Sequence, residues 1–183
     1  MRDAANLVWK HSAVLHHQTP DALLETYQRE REPHVRAIVE LAVGFGRLIC
    51  TTDVAVAAAR DAQMLADHHD EANAPQGTPA LVGGDAIGPG GGGLSAQPWV
   101  EGQRLDDVVG PRFALITREP LSVDDTDRIW WSDRATILDA QTYPELDQLL
   151  GGHECIVVRP DRYVYATGAV GDITITAKAT LSV

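Results

Sequence analysis

The sequence predicts an α/β chain in which an N-terminal helical segment precedes an α/β domain. Three observations lead there. Residues 1–66 carry apolar residues at helical spacing, residues 67–98 are dense in Gly and Pro, and residues 99–183 alternate short apolar runs with short polar helical ones. A length of 183 residues suits one domain of ordinary size plus an appendage. With 44% apolar and 22% charged residues, the mixture is globular.

In the first segment, Leu7, Val8, Val14 and Leu15 recur at helical spacing until Thr19, Pro20 and Asp21 break the pattern. A second helix is expected from near Asp21, a suitable N-cap, with Glu25 favourable to its first turn. Its apolar stripe reads Leu24, Tyr27, Val35, Ile38, Val39, Ala42, Phe45 and Ile49, and the polar run 28–32 is expected to face solvent. Pro33 lies inside this pattern and predicts a kink or a restart, since it removes a backbone donor and crowds the preceding turn. Thr52 or Asp53 could cap a third, alanine-rich helix running through Leu65. Residues 67–98, with DHHDEANAPQGTP and GGDAIGPGGGG, read as a long linker or as a loop covering a neighbouring surface.

In the last segment residues 113–117 read as a strand, 122–131 as a helix and 135–139 as a second strand. Residues 144–150 form a short helix with Pro144 at its permitted first turn, and 155–159 a third strand. Pro160, Asp161 and Arg162 turn the chain into a fourth strand at 163–167. That order implies parallel crossovers first and a closing hairpin last. The tail, DITITAKATLSV, alternates with period two and reads as a further strand.

Composition narrows the function. Lys and Arg number 15 against 26 Asp and Glu, a net charge of −11, and no local basic cluster offsets it, which argues against nucleic-acid binding. No apolar run nears the roughly 20 residues of a membrane span, and MRDAANLVWK lacks the pattern of a secretory signal. Cys50 and Cys155 are far apart and form no metal-ligand pair, so a reducing cytoplasm is the expected compartment. His68 and His69, beside Asp67, Asp70 and Glu71, are the best metal candidates by composition. Adjacent helical ligands point about 100° apart, however, and read better as a solvated helix end, as do His16 and His17. No metal ligand is therefore assigned. Ser12, Ser95, Ser122, Ser132 and Ser182 lack a nucleophile-elbow context. Trp99, Trp130 and Trp131 are expected to pack in a core or between domains. The turn of Arg159, Pro160, Asp161 and Arg162 reads as structural, its arginines pairing with Asp161 or with nearby carboxylates.

Four segments carry a resemblance: RDAANLVWKHSAVL, DALLETYQREREPHVRAIVELA, GGGLSAQPWVEGQRLDDVVGPRFALI and HECIVVRPDRYVYATG, in that order over residues 2–167. Together they resemble the C-terminal part of the FAD-dependent aromatic hydroxylases, the class A flavoprotein monooxygenases. The likeness is greatest to hydroxylases of 3-(3-hydroxyphenyl)propionate and of polyketides. In that family FAD sits on an N-terminal fold with a GxGxxG turn and a later GD motif. The likeness begins after that motif, so Arg2, Asp3 and Asn6 would open the helix that follows the flavin.

The resemblance implies FAD and NAD(P)H for the complete enzyme, and a flavin-binding domain or subunit as the partner of residues 1–66. It assigns no catalytic residue and no cofactor ligand in this chain. GGDAIGPGGGG has glycines but neither the preceding strand nor the following helix of a phosphate-binding turn, so no FAD is expected to be held by this chain alone. The last part resembles a thioredoxin-like domain. Where redox members of that fold carry two cysteines, this sequence has residues 118–122 without a thiol, which argues against disulfide oxidoreduction, and Cys155 reads as a small buried filler. The same resemblance would place a helix at the tail. The alternative function is a non-catalytic thioredoxin-like interaction protein that self-associates through its N-terminal helices.

Overall fold

Helical periodicity at the N-terminus becomes three helices in the computed structural model, which describes residues 1–16, 19–67 and 78–182. They are α1 (Arg2–His16), α2 (Ala22–Ile49) and α3 (Val54–Asp67). Asp53 caps α3 with its carboxylate, which accepts from the backbone N–H groups of Ala55 and Val56 at 2.9 and 3.0 Å. Asp21, by contrast, has helical backbone angles and makes no side-chain cap.

After residue 78 the chain forms a small antiparallel pair, β1 (Trp99–Val100) and β2 (Gln103–Arg104), and then α4 (Leu105–Val109). Next come β3 (Phe113–Thr117), α5 (Asp125–Arg134) and β4 (Ala135–Asp139). A single 3₁₀ turn (Pro144–Leu146) runs into α6 (Asp147–Leu150), followed by β5 (Cys155–Val158), β6 (Val164–Gly168) and α7 (Val170–Leu181). The architecture is α/β, with strand order β4-β3-β5-β6.

Side chains of β3 and β5 alternate between two cores. Phe113, Leu115, Cys155 and Val157 face α1, α5 and α7, whereas Ala114, Ile116, Ile156 and Val158 face α4 and α6. Both strands are buried on both faces, which explains their uninterrupted apolar runs.

Two expectations fail here. First, β3 and β4 are parallel, but β5 is antiparallel to β3. Thr117 pairs with both Asp139 and Cys155, so the β4–β5 connection leaves and re-enters the sheet at the same end of the strands, passing the end of β3, and never runs back along a face. Secondly, the tail is the helix α7, not a strand. Ile173, Ala177 and Leu181 are buried at spacings of four, as are Val170 and Thr174, so the period-two alternation coincided with a helical face that the core selects.

The Gly/Pro-rich segment, in its described part, is a loop laid along the outer edge of β6. Gly88 and Gly92 donate their N–H groups to the carbonyls of Tyr165 and Val164 at 2.7 and 2.8 Å. Val164 and Thr167 donate back to Gly93 and Pro89 at 2.8 and 2.9 Å. The loop thereby pairs an edge that would otherwise be open to other strands. Glycine is required by contact: a Cβ on Gly91 would lie 2.1 Å from the Tyr165 carbonyl oxygen, and one on Gly92, at φ +95°, 2.3 Å from that of Leu81.

Candidate functional site

The N-terminal helices bury the wrong residues for an independent bundle. In α1 the buried positions are Asn6, Trp9, Lys10 and Ala13, while Val8 and Leu15 are exposed. In α2 they are Leu23, Thr26, Glu30, Arg31 and His34. The expectation that residues 28–32 face solvent is therefore wrong at Glu30 and Arg31. Of the kink or restart expected at Pro33, the restart does not occur, since α2 is one helix from Ala22 to Ile49. Buried residues flank the proline on both sides, Arg31 and His34.

These polar groups converge on the β5–β6 turn. Glu30 Oε2 lies 3.0 Å from Lys10 Nζ and 2.8 Å from Arg159 Nη2, all with fully buried side chains. The Arg159 guanidinium also donates to both oxygens of Asp161, at 3.0 and 2.6 Å, and to the Ala86 carbonyl at 3.0 Å. Asn6 Nδ2 donates to Glu30 at 2.9 Å and to Asp161 at 2.8 Å. Two cations and two carboxylates balance, as burial demands. Trp9 closes the cluster, its ring centroid 5.0 Å from the Arg159 guanidinium carbon. Burial, partly offset by Glu30, brings Lys10 down to about 8.

A second tie runs beside it. Arg31 Nε donates to Asp3 at 2.8 Å, and that hydrogen bond holds the Asp3 carboxyl below its ordinary value. His34 Nε2 and Tyr163 Oη are 3.2 Å apart, with the rings edge to face. Burial, then the nearby Arg31, lowers the His34 pKa. The paired reading of the 159–162 turn is thus borne out, with Glu30 as the distant carboxylate and Arg162 on Asp106 at 2.6 Å. Of the residues expected to open the helix after a flavin, Asn6 and Asp3 are occupied within this junction, and Arg2 is exposed.

Beyond His34 the helices have no buried residue. From residue 35 to 67 every position is half-buried or exposed, including most of the stripe taken from the sequence. Val39, Val43, Phe45 and Ile49 of α2, with Val56 and Leu65 of α3, present apolar side chains to solvent. The predicted stripe exists, but in this chain it is the outer face. No single described helix is long and apolar enough to cross a membrane; α2 and α3 meet the length and composition only together, and are bent by 114° between them.

The other candidates resolve individually. Cys155 is fully buried, and burial followed by the charge of Glu154 pushes its thiol up to about 12, while Cys50 is exposed at the end of α2. Trp131 is core, donating to Thr174 Oγ1 at 2.9 Å, and Trp130 donates to Ser182 Oγ at 2.9 Å. Trp99 departs from the packing expectation, since it is exposed and touched by Arg104. No group of three or more potential metal ligands occurs among the described residues. His17, His68, His69, Asp70 and Glu71 lie outside the described residues. The polar junction escaped sequence reasoning because helical stripes were sought among apolar residues only; the i, i+4 spacing of Asn6 with Lys10 and of Glu30 with His34 was its signal.

A family model described as an FAD binding domain matches residues 1–42. A probable NADH-specific resorcinol 4-hydroxylase of Rhodococcus jostii is 34% identical over 90% of this chain and 35% of its own length. A 3-(3-hydroxy-phenyl)propionate/3-hydroxycinnamic acid hydroxylase of Burkholderia vietnamiensis is 31% identical over 97% of this chain and 41% of its own. Among solved structures, the anhydrotetracycline hydroxylase OxyS of Streptomyces rimosus superposes with a TM-score of 0.70 at 22% identity, covering 99% of this chain and 40% of that one. The chain thus spans about 35–41% of the length of the relatives it matches. The chain therefore corresponds to a region of the class A FAD-dependent aromatic hydroxylases, which accounts for nearly all of its sequence and fold.

Proposed function

We propose that residues 1–66 are the part of an FAD-dependent aromatic-ring hydroxylase that packs against its flavin-binding portion and substrate cavity. Residues 99–183 would be a thioredoxin-like accessory domain that anchors those helices. One observation carries this reading: Asn6, Lys10, Glu30, Arg31 and His34 are buried beside Trp9, Ala13 and Leu23, whereas Val39, Val43, Phe45 and Ile49 farther along α2 face solvent. Burial of apolar area drives association at about 25 cal/mol per Å², so such a face is expected to be covered in the working assembly.

In the complete enzyme FAD would supply the redox chemistry, with NADH or NADPH as reductant and a phenolic ring as substrate. The described residues do not themselves fit FAD. The amides of Gly88 and Gly92 are already bonded to β6, and Asn6 and Asp3 are held in the polar junction. Their role is scaffold rather than flavin ligand.

The same outer face would also serve self-association, which is the second reading. Co-expression with a flavin-binding polypeptide of the family that lacks the matched region separates the two. The hydroxylase reading expects a yellow complex that oxidises NADH or NADPH in the presence of a phenol. A stable homo-oligomer that ignores the flavoprotein would overturn it.

A further inference from the structure

The four-stranded sheet has two outer strands, and only one of them is guarded. The glycine-rich loop pairs with the outer side of β6. β4, at the opposite end of the order β4-β3-β5-β6, has no such cover among the described residues. It also lacks the usual protections of an edge: Ala135–Asp139 holds no Lys, Pro or Gly, and its register against β3 is free of bulges.

Which backbone groups face outward is fixed by one bond. Ala140 donates its N–H to the Thr117 carbonyl at 2.9 Å, in phase with the parallel pairing of Thr117 and Asp139. Thr136 and Leu138 therefore turn their backbone groups toward β3, and Ala135, Ile137 and Asp139 turn theirs to the open side. Two of these outward groups are already used. The Ala135 N–H donates to the Trp131 carbonyl at the end of α5, and the Asp139 carbonyl accepts from the Tyr143 N–H at 2.9 Å. That leaves the Ala135 carbonyl, both groups of Ile137 and the Asp139 N–H.

This set is complementary to itself. In an antiparallel pair, directly opposed residues whose backbone groups face each other exchange N–H and C=O bonds. With two copies of β4 set about a two-fold axis at Ile137, each Ile137 faces its counterpart and the pair exchanges two bonds. Each Asp139 faces Ala135 of the other copy and donates to its carbonyl. Every remaining group is then bonded, and the two used groups fall opposite each other. On one face Ile137 meets Ile137, both half-buried in the single chain, and on the other Thr136 meets Leu138. No carboxylate opposes another, because Asp139 lies across from Ala135.

We propose that β4 is the pairing edge for a second copy of this chain, the two sheets joining antiparallel about Ile137. The inference stands apart from the hydroxylase reading and from self-association through the N-terminal helices, because it uses residues of the sheet alone. A single short strand makes a small interface, so the dimer is expected to be weak and reversible.

Sedimentation of the full chain from about 10 μM to about 1 mM, with amide exchange measured at both ends of that range, tests it. The proposal expects a monomer–dimer equilibrium in which the Ile137 and Asp139 amides exchange at least about tenfold more slowly at the high concentration. Ile137→Pro should abolish the dimer, since proline has no N–H and this N–H serves no bond within the chain. Protection of β3 and β5 amides checks that this variant folds, and wild-type exchange decides the matter if it does not. Phe45→Glu, on the exposed face of α2, should leave the dimer intact. A monomer at every concentration, a dimer with unchanged Ile137 exchange, a dimer that survives Ile137→Pro, or one that Phe45→Glu dissolves would overturn the proposal.

Discussion

Glu30 holds the N-terminal helices to the sheet domain. It touches Lys10 and Asn6 of α1 and Arg159 of the β5–β6 turn, so three separate stretches of chain depend on one carboxylate. Glu30→Ala would leave two buried cations short of a partner, and urea denaturation should report a loss of about 3–5 kcal/mol. Lys10 gives the junction a pH dependence. Its folded value of about 8 lies below the usual 10.5, so between the two the unfolded chain retains a proton that the folded chain has released. Stability should rise as pH increases from 8 toward 10 and fall as pH drops back through 8. Lys10→Met should flatten that slope in thermal melts across the window. The two thiols should also separate: a disulfide reagent at pH 8 is expected to label Cys50 quickly and Cys155 only on unfolding, because burial keeps the latter protonated.

At the scale of elements, the loop along β6 makes the sharpest prediction. Gly92→Ala combines a left-handed backbone with a Cβ 2.3 Å from the Leu81 carbonyl. It should cost at least about 1–3 kcal/mol, measured as a lower Tm, with faster hydrogen exchange at Val164 and Thr167. How legible such elements were depended on what fixed them. β3, β4 and the turn of helix at 144–150 could be read directly, because apolar runs bounded by Pro, Asp and Gly leave few alternatives. α7 could not, since Ile173 and Ile175 alternate as a strand would, and only packing of Ile173, Ala177 and Leu181 on the sheet decides for a helix. The antiparallel placement of β5 was hidden for a related reason. A connection that stays at one end of the strands and one that runs back along a face of the sheet can have the same length. The glycine-rich segment reads as linker or covering loop, and its described part pairs with β6. That its glycines are bonded to β6 requires the Tyr165 and Val164 carbonyls, which no local pattern contains. The polar junction was the least legible part. It assembles Asn6, Lys10, Glu30, Arg159 and Asp161 from positions far apart in the sequence, and the only local hint was polar residues at i, i+4.

The molecule has a sheet with two well-filled cores, to which the N-terminal helices are held by Trp9, Ala13 and Leu23 and by the buried charges around Glu30, while residues 35–67 keep their apolar side chains outside. A stripe of Val, Phe and Ile at helical spacing usually marks the inside of a protein. Here the same stripe faces solvent, and the proposed function covers it with a flavin-binding surface. The account's central claim is that residues 35–67 are an interface for that flavin-binding portion. Hydrogen exchange of this stretch, with and without a flavin-binding polypeptide of the family, tests it most directly. The account predicts fast exchange over residues 35–67 in the chain alone and strong protection in the complex, with β3 and β5 protected in both. Unchanged exchange over residues 35–67 in a formed complex, or full protection in the monomeric chain alone, would contradict it.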